Sequence, residues 1–442
     1  MPISMSLSKK KQPALKSLLI LLVFLLSVLF AFTLIFRNGS ASLFGIFRNF
    51  EIVSPRVKRY RPDKKTETPP PSAPSEEKNA SLASQFKSEK ILYYAADGIS
   101  RPEMCLTENT AFVALRQTVG VGRSASNEII LKAFQIDTQG NWTDSSSQEF
   151  GSSNFVLYPS KGPDGNVTDH QLICDSNGYD LIFETVYQSN MKRTVVYRFD
   201  STWKFQKKQY IFNNIVNLEK YKMDDPGAVI LDGTLYIWVV KLNSQHIADG
   251  FALYGIDPVT LETKISGTSS SPLLLSNPDS APFTGVMYKK DADFFIMTSP
   301  KDPAGRNFDQ NGLVEYKYSS DWKYLSSRKI DHDFGGLAPV YVTGYLRRGN
   351  LTLWGFTLED TSLRASRTVA IGKEFIGEAW VFVEKDDGTK DFFKVSDNDS
   401  TPDSNDTRHT VLEYSNGKLI VGYKNVVDPR ATTIRSFTFP TQ

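Results

Sequence analysis

Six stretches of this chain share one outline: a small polar or proline-containing lead, an apolar strand, a polar turn of two to four residues, and a second apolar strand. They begin at Arg101 (RPEMCLTENTAFVAL), Asp169 (DHQLICDSNGYDLIFET), Asp224 (DDPGAVILDGTLYIWVV), Ala281 (APFTGVMYKKDADFFIMTS), Ala338 (APVYVTGYLRRGNLTLWGF) and His409 (HTVLEYSNGKLIVGYKN). With Asn109, Gly178, Gly233, Asp291, Gly349 and Gly417 as markers, successive copies lie 69, 55, 58, 58 and 68 residues apart. A unit of that length must stack on its neighbours to bury an apolar face, and for hairpins that means blades around an axis. Third strands follow several hairpins and close on a polar turn and an aromatic residue, as in VVYRFDSTWKF from Val195 and LVEYKYSSDWKY from Leu313. Within the first, Val196, Arg198 and Asp200 alternate with Tyr197 and Phe199, the period of a strand. The fold class is therefore all-β, a β-propeller of six blades, with five blades and an appended hairpin as the alternative. A two-sheet sandwich gives no reason for the shared interval. The strand KILYYAA, residues 90–96, is predicted to complete the last blade and close the ring.

The other strong feature is the run SLLILLVFLLSVLFAFTLIF, residues 17–36, which is free of charge. At ~1.5 Å per residue it spans a bilayer core of ~30 Å. Lys9, Lys10, Lys11 and Lys16 precede it and only Arg37 and Arg48 follow closely, which orients the N-terminus to the cytosol. A cleaved signal peptide is the competing reading, with Gly39-Ser40-Ala41 as the cleavage site. Residues 1–16 then form a cytosolic tail, 17–36 a signal anchor, 37–87 a Pro-, Lys- and Glu-rich disordered stalk, and 88–442 the propeller. The expectation is a single-pass type II membrane glycoprotein of the secretory pathway or cell surface, with its C-terminal domain lumenal or extracellular. Sequons at Asn79, Asn141, Asn166, Asn350, Asn398 and Asn405 are the glycosylation candidates, and Asn38 lies too near the membrane. Cys105 and Cys174, at nearly equivalent places in the first two repeats, suit one disulfide in an oxidising compartment, with two buried thiols as the alternative.

With 51 Lys+Arg against 49 Asp+Glu, no basic surplus marks a nucleic-acid binder. Two cysteines and four histidines exclude a four-Cys zinc site, and no phosphate loop, nucleophile elbow or zinc-protease motif occurs, so no cofactor or metal is expected. Propellers bind ligands at the axis, and the leads of the innermost strands are best placed to line it. The ligand-binding candidates are Arg101, Asp169, His170, Asp224, Asp225 and His409, for a glycan or protein. The acids Asp169, Asp224 and Asp225 are the catalytic candidates should the site hydrolyse a glycosidic bond, because that reaction needs one protonated and one ionised carboxyl. For any one of them a turn or capping role competes.

MDDPGAVILDGTLYIWVV and VVYRFDSTWKF resemble the Asp-Pro…Asp-Gly…Tyr and Asp-x-x-Trp rhythm of the arabinanase and β-fructosidase glycosidases, furanosidase-type five-bladed propellers, over about residues 165–300. The resemblance implies that Asp225, before Pro226, tunes a proton donor or stabilises the transition state. The chain departs from those families at two places. Ser100-Arg101-Pro102 stands where an early blade supplies an Asp, with Asp97 nearby, and Asp279-Ser280-Ala281-Pro282-Phe283 stands where a later blade supplies the proton-donor Glu. Glycan or protein recognition without turnover is accordingly the main expectation, and glycan hydrolysis through Asp169, Asp224 and Asp225 the alternative.

Overall fold

The computed structural model describes residues 81–95, 98–120, 125–187, 191–213, 221–244, 247–267, 272–276, 281–301, 309–310, 312–359, 377–396, 407–425 and 431–440. The predicted anchor, residues 37–80 of the predicted stalk, Asn79, Asp97, Asp279, Asn398 and Asn405 lie outside them, whereas residues 81–87, the end of that stalk, are ordered, with Leu82 and Phe86 buried against blades 5 and 6. Among the described residues no helix is long and apolar enough to cross a membrane.

The described chain opens with a 3-10 turn, Leu82–Gln85, and β1 (Ser88–Ala95). Blade 1 follows as β2 (Ile99–Leu106), β3 (Thr110–Val119), β4 (Ser126–Ile136) and β5 (Trp142–Asp144), with a short helix α1 (Ser146–Phe150) and β6 (Phe155–Tyr158) returning along β4. Blade 2 is β7 (Asn166–Asp175), β8 (Gly178–Tyr187), β9 (Met191–Asp200) and β10 (Phe205–Asn213). Blade 3 is β11 (Tyr221–Leu231), β12 (Thr234–Leu242), β13 (Ala248–Ile256) and β14 (Thr263–Ile265), with β15 (Leu273–Ser276) also on β13. Blade 4 is β16 (Ala281–Lys290), β17 (Asp293–Lys301), β18 (Gly312–Tyr318) and β19 (Tyr324–Asp331). Blade 5 is β20 (Ala338–Arg348), β21 (Leu351–Glu359), β22 (Gly377–Lys385) and β23 (Lys390–Lys394). Blade 6 is β24 (Thr407–Ser415), β25 (Lys418–Asn425) and β26 (Ala431–Thr438), and β1 supplies its outer strand.

Each blade is an antiparallel sheet running from axis to rim in chain order, and the innermost strands β2, β7, β11, β16, β20 and β24 touch their neighbours all the way round. The molecule is a six-bladed β-propeller. The predicted closure by the strand at residues 90–96 is the one observed, with β1 ending at Ala95. Pairing the first strand with the last leaves no open seam in the ring.

The apolar pattern explains why the sheets stack radially. Strand β12 reads LYIWVV without alternation because both of its faces are covered: Leu235, Ile237 and Val239 pack toward blade 2, and Tyr236, Trp238 and Val240 toward blade 4. The same division holds in β21, where Leu351 and Leu353 face blade 6 and Trp354, Phe356 and Leu358 face blade 4. Each seam between neighbouring blades thus has its own apolar core. The Asp-x-x-Trp turn also serves the seams. The Asp200 carboxylate accepts the Thr202 and Lys204 N–H groups, and Trp203 adopts φ 62. That geometry lays the buried indole on Tyr179, 3.6 Å between centroids at 6°, and edge-on to Phe112 of blade 1. Trp322 (φ 64) repeats the arrangement against Phe294 and Tyr236 of blade 3. Gly227 is required where β11 meets β12, because a Cβ there would fall 2.1 Å from the Trp238 indole.

Cys105 on β2 and Cys174 on β7 are joined as a disulfide, Cα atoms 6.0 Å apart, across the seam of blades 1 and 2. Of the sequon asparagines within the described residues, Asn141 and Asn350 are exposed, whereas Asn166 is half-buried and its Oδ1 accepts the Asn127 N–H at 2.8 Å.

Candidate functional site

All six innermost strands start at one face of the ring, and each breaks register near that start. The breaks fall between Ser100 and Glu103, Val167 and Asp169, Lys222 and Gly227, Pro282 and Gly285, Pro339 and Tyr341, and Arg408 and Val411. An inserted residue bends a strand and re-aims its side chains, here around the axis. Arg101 and His409 sit at two of these breaks with φ 58 and 56. The left-handed conformation costs a non-glycine residue about 1–2 kcal/mol, and such strain collects at functional sites.

The breaks bring Arg101, Asp169 and His409, from three successive blades, into one buried cluster. Arg101 Nη1 forms an ion pair with Asp169 Oδ2, and Arg101 Nη2 donates to His409 Nδ1 at 2.8 Å. Asp169 Oδ1 accepts the His170 N–H at 2.8 Å. A guanidinium only donates, so His409 Nδ1 is the acceptor and the ring proton resides on Nε2. The Tyr341 ring lies 4.9 Å from that of His409, and Phe283 lies 5.4 Å from Tyr341, continuing the wall onto blade 4. Lys301 sits 4.6 Å above the Phe283 ring.

Of the residues expected here, Arg101, Asp169 and His409 meet. His170 does not join them: it is fully buried between blades 1 and 2, its Nε2 3.4 Å from the Ala114 carbonyl oxygen. Burial, reinforced by the Arg101 charge, pushes its pKa down to about 3, so it is a neutral core histidine. Asp224 and Asp225 lie on β11 at the mouth, and of these two the structure describes the backbone alone.

Two acids absent from the sequence-derived set stand out. Glu103 on β2 and Glu413 on β24 are half-buried on neighbouring innermost strands, with protein around them. Burial pushes the pKa of each up to about 8. For Glu103 the Arg101 charge works against that rise and the Glu413 carboxylate adds to it. Glu413 also accepts a backbone hydrogen bond at Tyr414. Both therefore hold a proton at neutral pH. Their signal in the sequence is a charged residue inside an apolar run, RPEMCL and HTVLEY, in the first and last repeats, which only the closed ring brings side by side. Glu184 and Glu359, at the mouth ends of β8 and β21, are a second pair of buried acids. Lys192 pairs with Glu184 at 3.0 Å. Among the described residues no group of His, Cys, Asp and Glu is arranged to hold a metal ion.

No family model and no curated relative matches the chain. Solved structures do. A family-43 β-xylosidase/α-arabinofuranosidase from a compost microbial metagenome is 13% identical, covering 69% of this chain and 98% of its own, with a TM-score of 0.40. An α-L-arabinofuranosidase from Lactobacillus brevis is 11% identical, with 62% and 91% covered and a TM-score of 0.42. The Trypanosoma rangeli sialidase is 10% identical, with 78% and 55% covered and a TM-score of 0.47. The chain thus bears a weak, partial resemblance to furanosidase-type propeller enzymes, and at these values the resemblance carries no argument about chemistry.

Proposed function

We propose that the axial mouth binds a glycan and hydrolyses a glycosidic bond, with Glu103 as proton donor. The observation that carries this reading is a carboxylic acid, Glu103, kept protonated near neutral pH within reach of the Arg101 charge, on the strand that also carries the Arg101–Asp169 ion pair. Hydrolysis needs carboxyl groups whose environments separate their protonation states. The protonated glutamate gives its proton to the leaving glycosidic oxygen. The ionised Asp169, oriented by Arg101 and the His170 N–H, stabilises positive charge developing on the sugar ring. Asp225, with Asp224 beside it, supplies the remaining carboxylate that activates water or attacks the anomeric carbon. His409 Nε2–H and the rings of Tyr341 and Phe283 bind the sugar. The Cys105–Cys174 bond supports an oxidising compartment, in keeping with a propeller held outside the cytosol by the N-terminal anchor.

A second reading, recognition of a glycan or protein without turnover, is favoured by one feature: Arg101 takes the Asp169 carboxylate into an ion pair, which weakens it as a base. Release of 4-nitrophenol from a panel of α-L-arabinofuranosides, β-D-xylosides and related aryl glycosides separates the two. Turnover should fall by about 10²–10⁴ in Glu103→Gln, with KM little changed. Absence of turnover on every glycoside, with glycan binding retained and lost in Arg101→Ala, would leave recognition.

A further inference from the structure

The innermost strands begin at the axial mouth, so the hairpin turns β16–β17 and β20–β21 lie at the opposite face. There a cavity of about 290 Å³ opens between blades 4 and 5. This is at the lower edge of the ~300–1,000 Å³ typical of small-molecule sites, room for one ring rather than a chain.

Its walls combine aromatic faces with balanced charge. Tyr288 is sandwiched between Tyr345, 4.7 Å away at 13°, and Phe295, 5.3 Å away at 13°. Trp354 stacks on Phe382 at the base of the cavity, and its indole N–H is buried with no acceptor among the described residues. Arg328 of blade 4 is forked twice, to Glu315 of its own blade at 2.9 and 3.0 Å and to Glu384 of blade 5 at 2.6 and 3.0 Å. Arg347 binds both oxygens of Asp386 at 3.0 Å and the Thr352 hydroxyl at 3.0 Å. The lining holds five basic and five acidic residues.

We propose that this cavity binds one neutral sugar ring, at a site separate from the axial mouth. At Arg328 and Arg347 an anion, and at Glu315, Glu384 and Asp386 a cation, would have to displace a bidentate partner already in place. Neutral hydroxyl groups need no such exchange: carboxylate oxygens keep lone pairs for O–H donors, while guanidinium and ammonium N–H groups serve hydroxyl oxygens. The half-buried ring of Tyr345 covers the C–H face of the sugar, and the indole N–H of Trp354 gains an acceptor. This holds whether or not the mouth performs hydrolysis.

The test is a tryptophan-fluorescence titration of the full chain, kept in a detergent without a sugar headgroup, with D-glucose, D-galactose, D-xylose and L-arabinose. A saturable change is expected with at least one of them. Its Kd should rise at least tenfold in Tyr345→Ala and about threefold in Lys385→Ala, a lining residue whose loss leaves the Tyr288 stack in place. It should be unmoved in Asp169→Asn, which alters the mouth alone. D-Glucuronate and D-glucosamine should bind more weakly than D-glucose. No saturable change with any neutral sugar would overturn the proposal. So would a change lost in Asp169→Asn but kept in Tyr345→Ala, or tighter binding of either charged sugar.

Discussion

The seam between blades 1 and 2 and the seam between blades 4 and 5 come from the same hairpin repeat and are closed by different means. At the first, apolar side chains fill the space, Trp203 stacks on Tyr179, a disulfide joins the innermost strands, and Arg101 pairs with Asp169 at the axis. At the second, the far end is left open and is spanned by Arg328 reaching from Glu315 to Glu384. A propeller seam needs a continuous apolar core only part of the way along. The rest is at liberty to carry chemistry: at the axis in one seam, at the far face in the other.

The two closures should fail differently. The largest effect is expected at the covalent seam. The disulfide encloses a separation of 69 residues, and by chain entropy such a crosslink stabilises by about 4 kcal/mol. Cys105→Ala with Cys174→Ala should lower the unfolding free energy extrapolated to zero urea by that amount, with a steeper slope because the uncrosslinked denatured chain exposes more surface, and dithiothreitol should do the same to the wild type. A shift below about 1 kcal/mol would mean that the apolar core alone holds this seam. A smaller effect is expected at the ionic seam. Arg328→Met leaves Glu315 and Glu384 without their guanidinium, and charge-assisted hydrogen bonds contribute about 1.5–3 kcal/mol. Arg328 is 45% exposed, so the lower end, about 1.5 kcal/mol, is expected. High salt should erase much of that difference and leave the disulfide variant untouched.

How much was legible in the sequence follows the same division. The blades could be read because each apolar strand pair is contiguous and the turn residues recur at a near-constant interval. The ring closure by residues 90–96 and the pairing of Cys105 with Cys174 followed from that register. The mouth was legible as a place: Arg101, Asp169 and His409 lead their strands and do meet. Its chemistry was not. A charged residue within an apolar strand, such as Glu103 or Glu413, reads as a break in pattern until the ring places two of them on adjacent inner strands. His170 has the opposite problem. It follows Asp169 directly, but strand alternation turns it into the blade 1–2 core, where burial keeps it neutral. The cavity between blades 4 and 5 depends on Tyr288, Glu315, Arg328, Tyr345 and Glu384, spread over two repeats, so no local motif announces it.

A third difference concerns pH. Glu103 and Glu413 ordinarily titrate near 4.5 and in the folded chain near 8, so between those values the native state holds more protons than the unfolded one. Stability contributed by this pair is complete below about pH 4.5 and is lost as pH rises through 8. His170 acts in the opposite sense: its pKa is pushed from 6.5 to about 3, so its contribution is complete above 6.5 and is lost as pH falls toward 3. The unfolding midpoint should decline from about pH 5 to 8, and a second decline should begin below about 4.5. Glu103→Gln with Glu413→Gln should flatten the alkaline limb and spare the acid one, whereas His170→Phe should flatten the acid limb alone. If the double glutamine variant left the alkaline limb as steep as before, neither glutamate would be protonated at neutral pH. The axial mouth would then have no proton donor in Glu103, and the Arg101–Asp169–His409 cluster would be a binding site only.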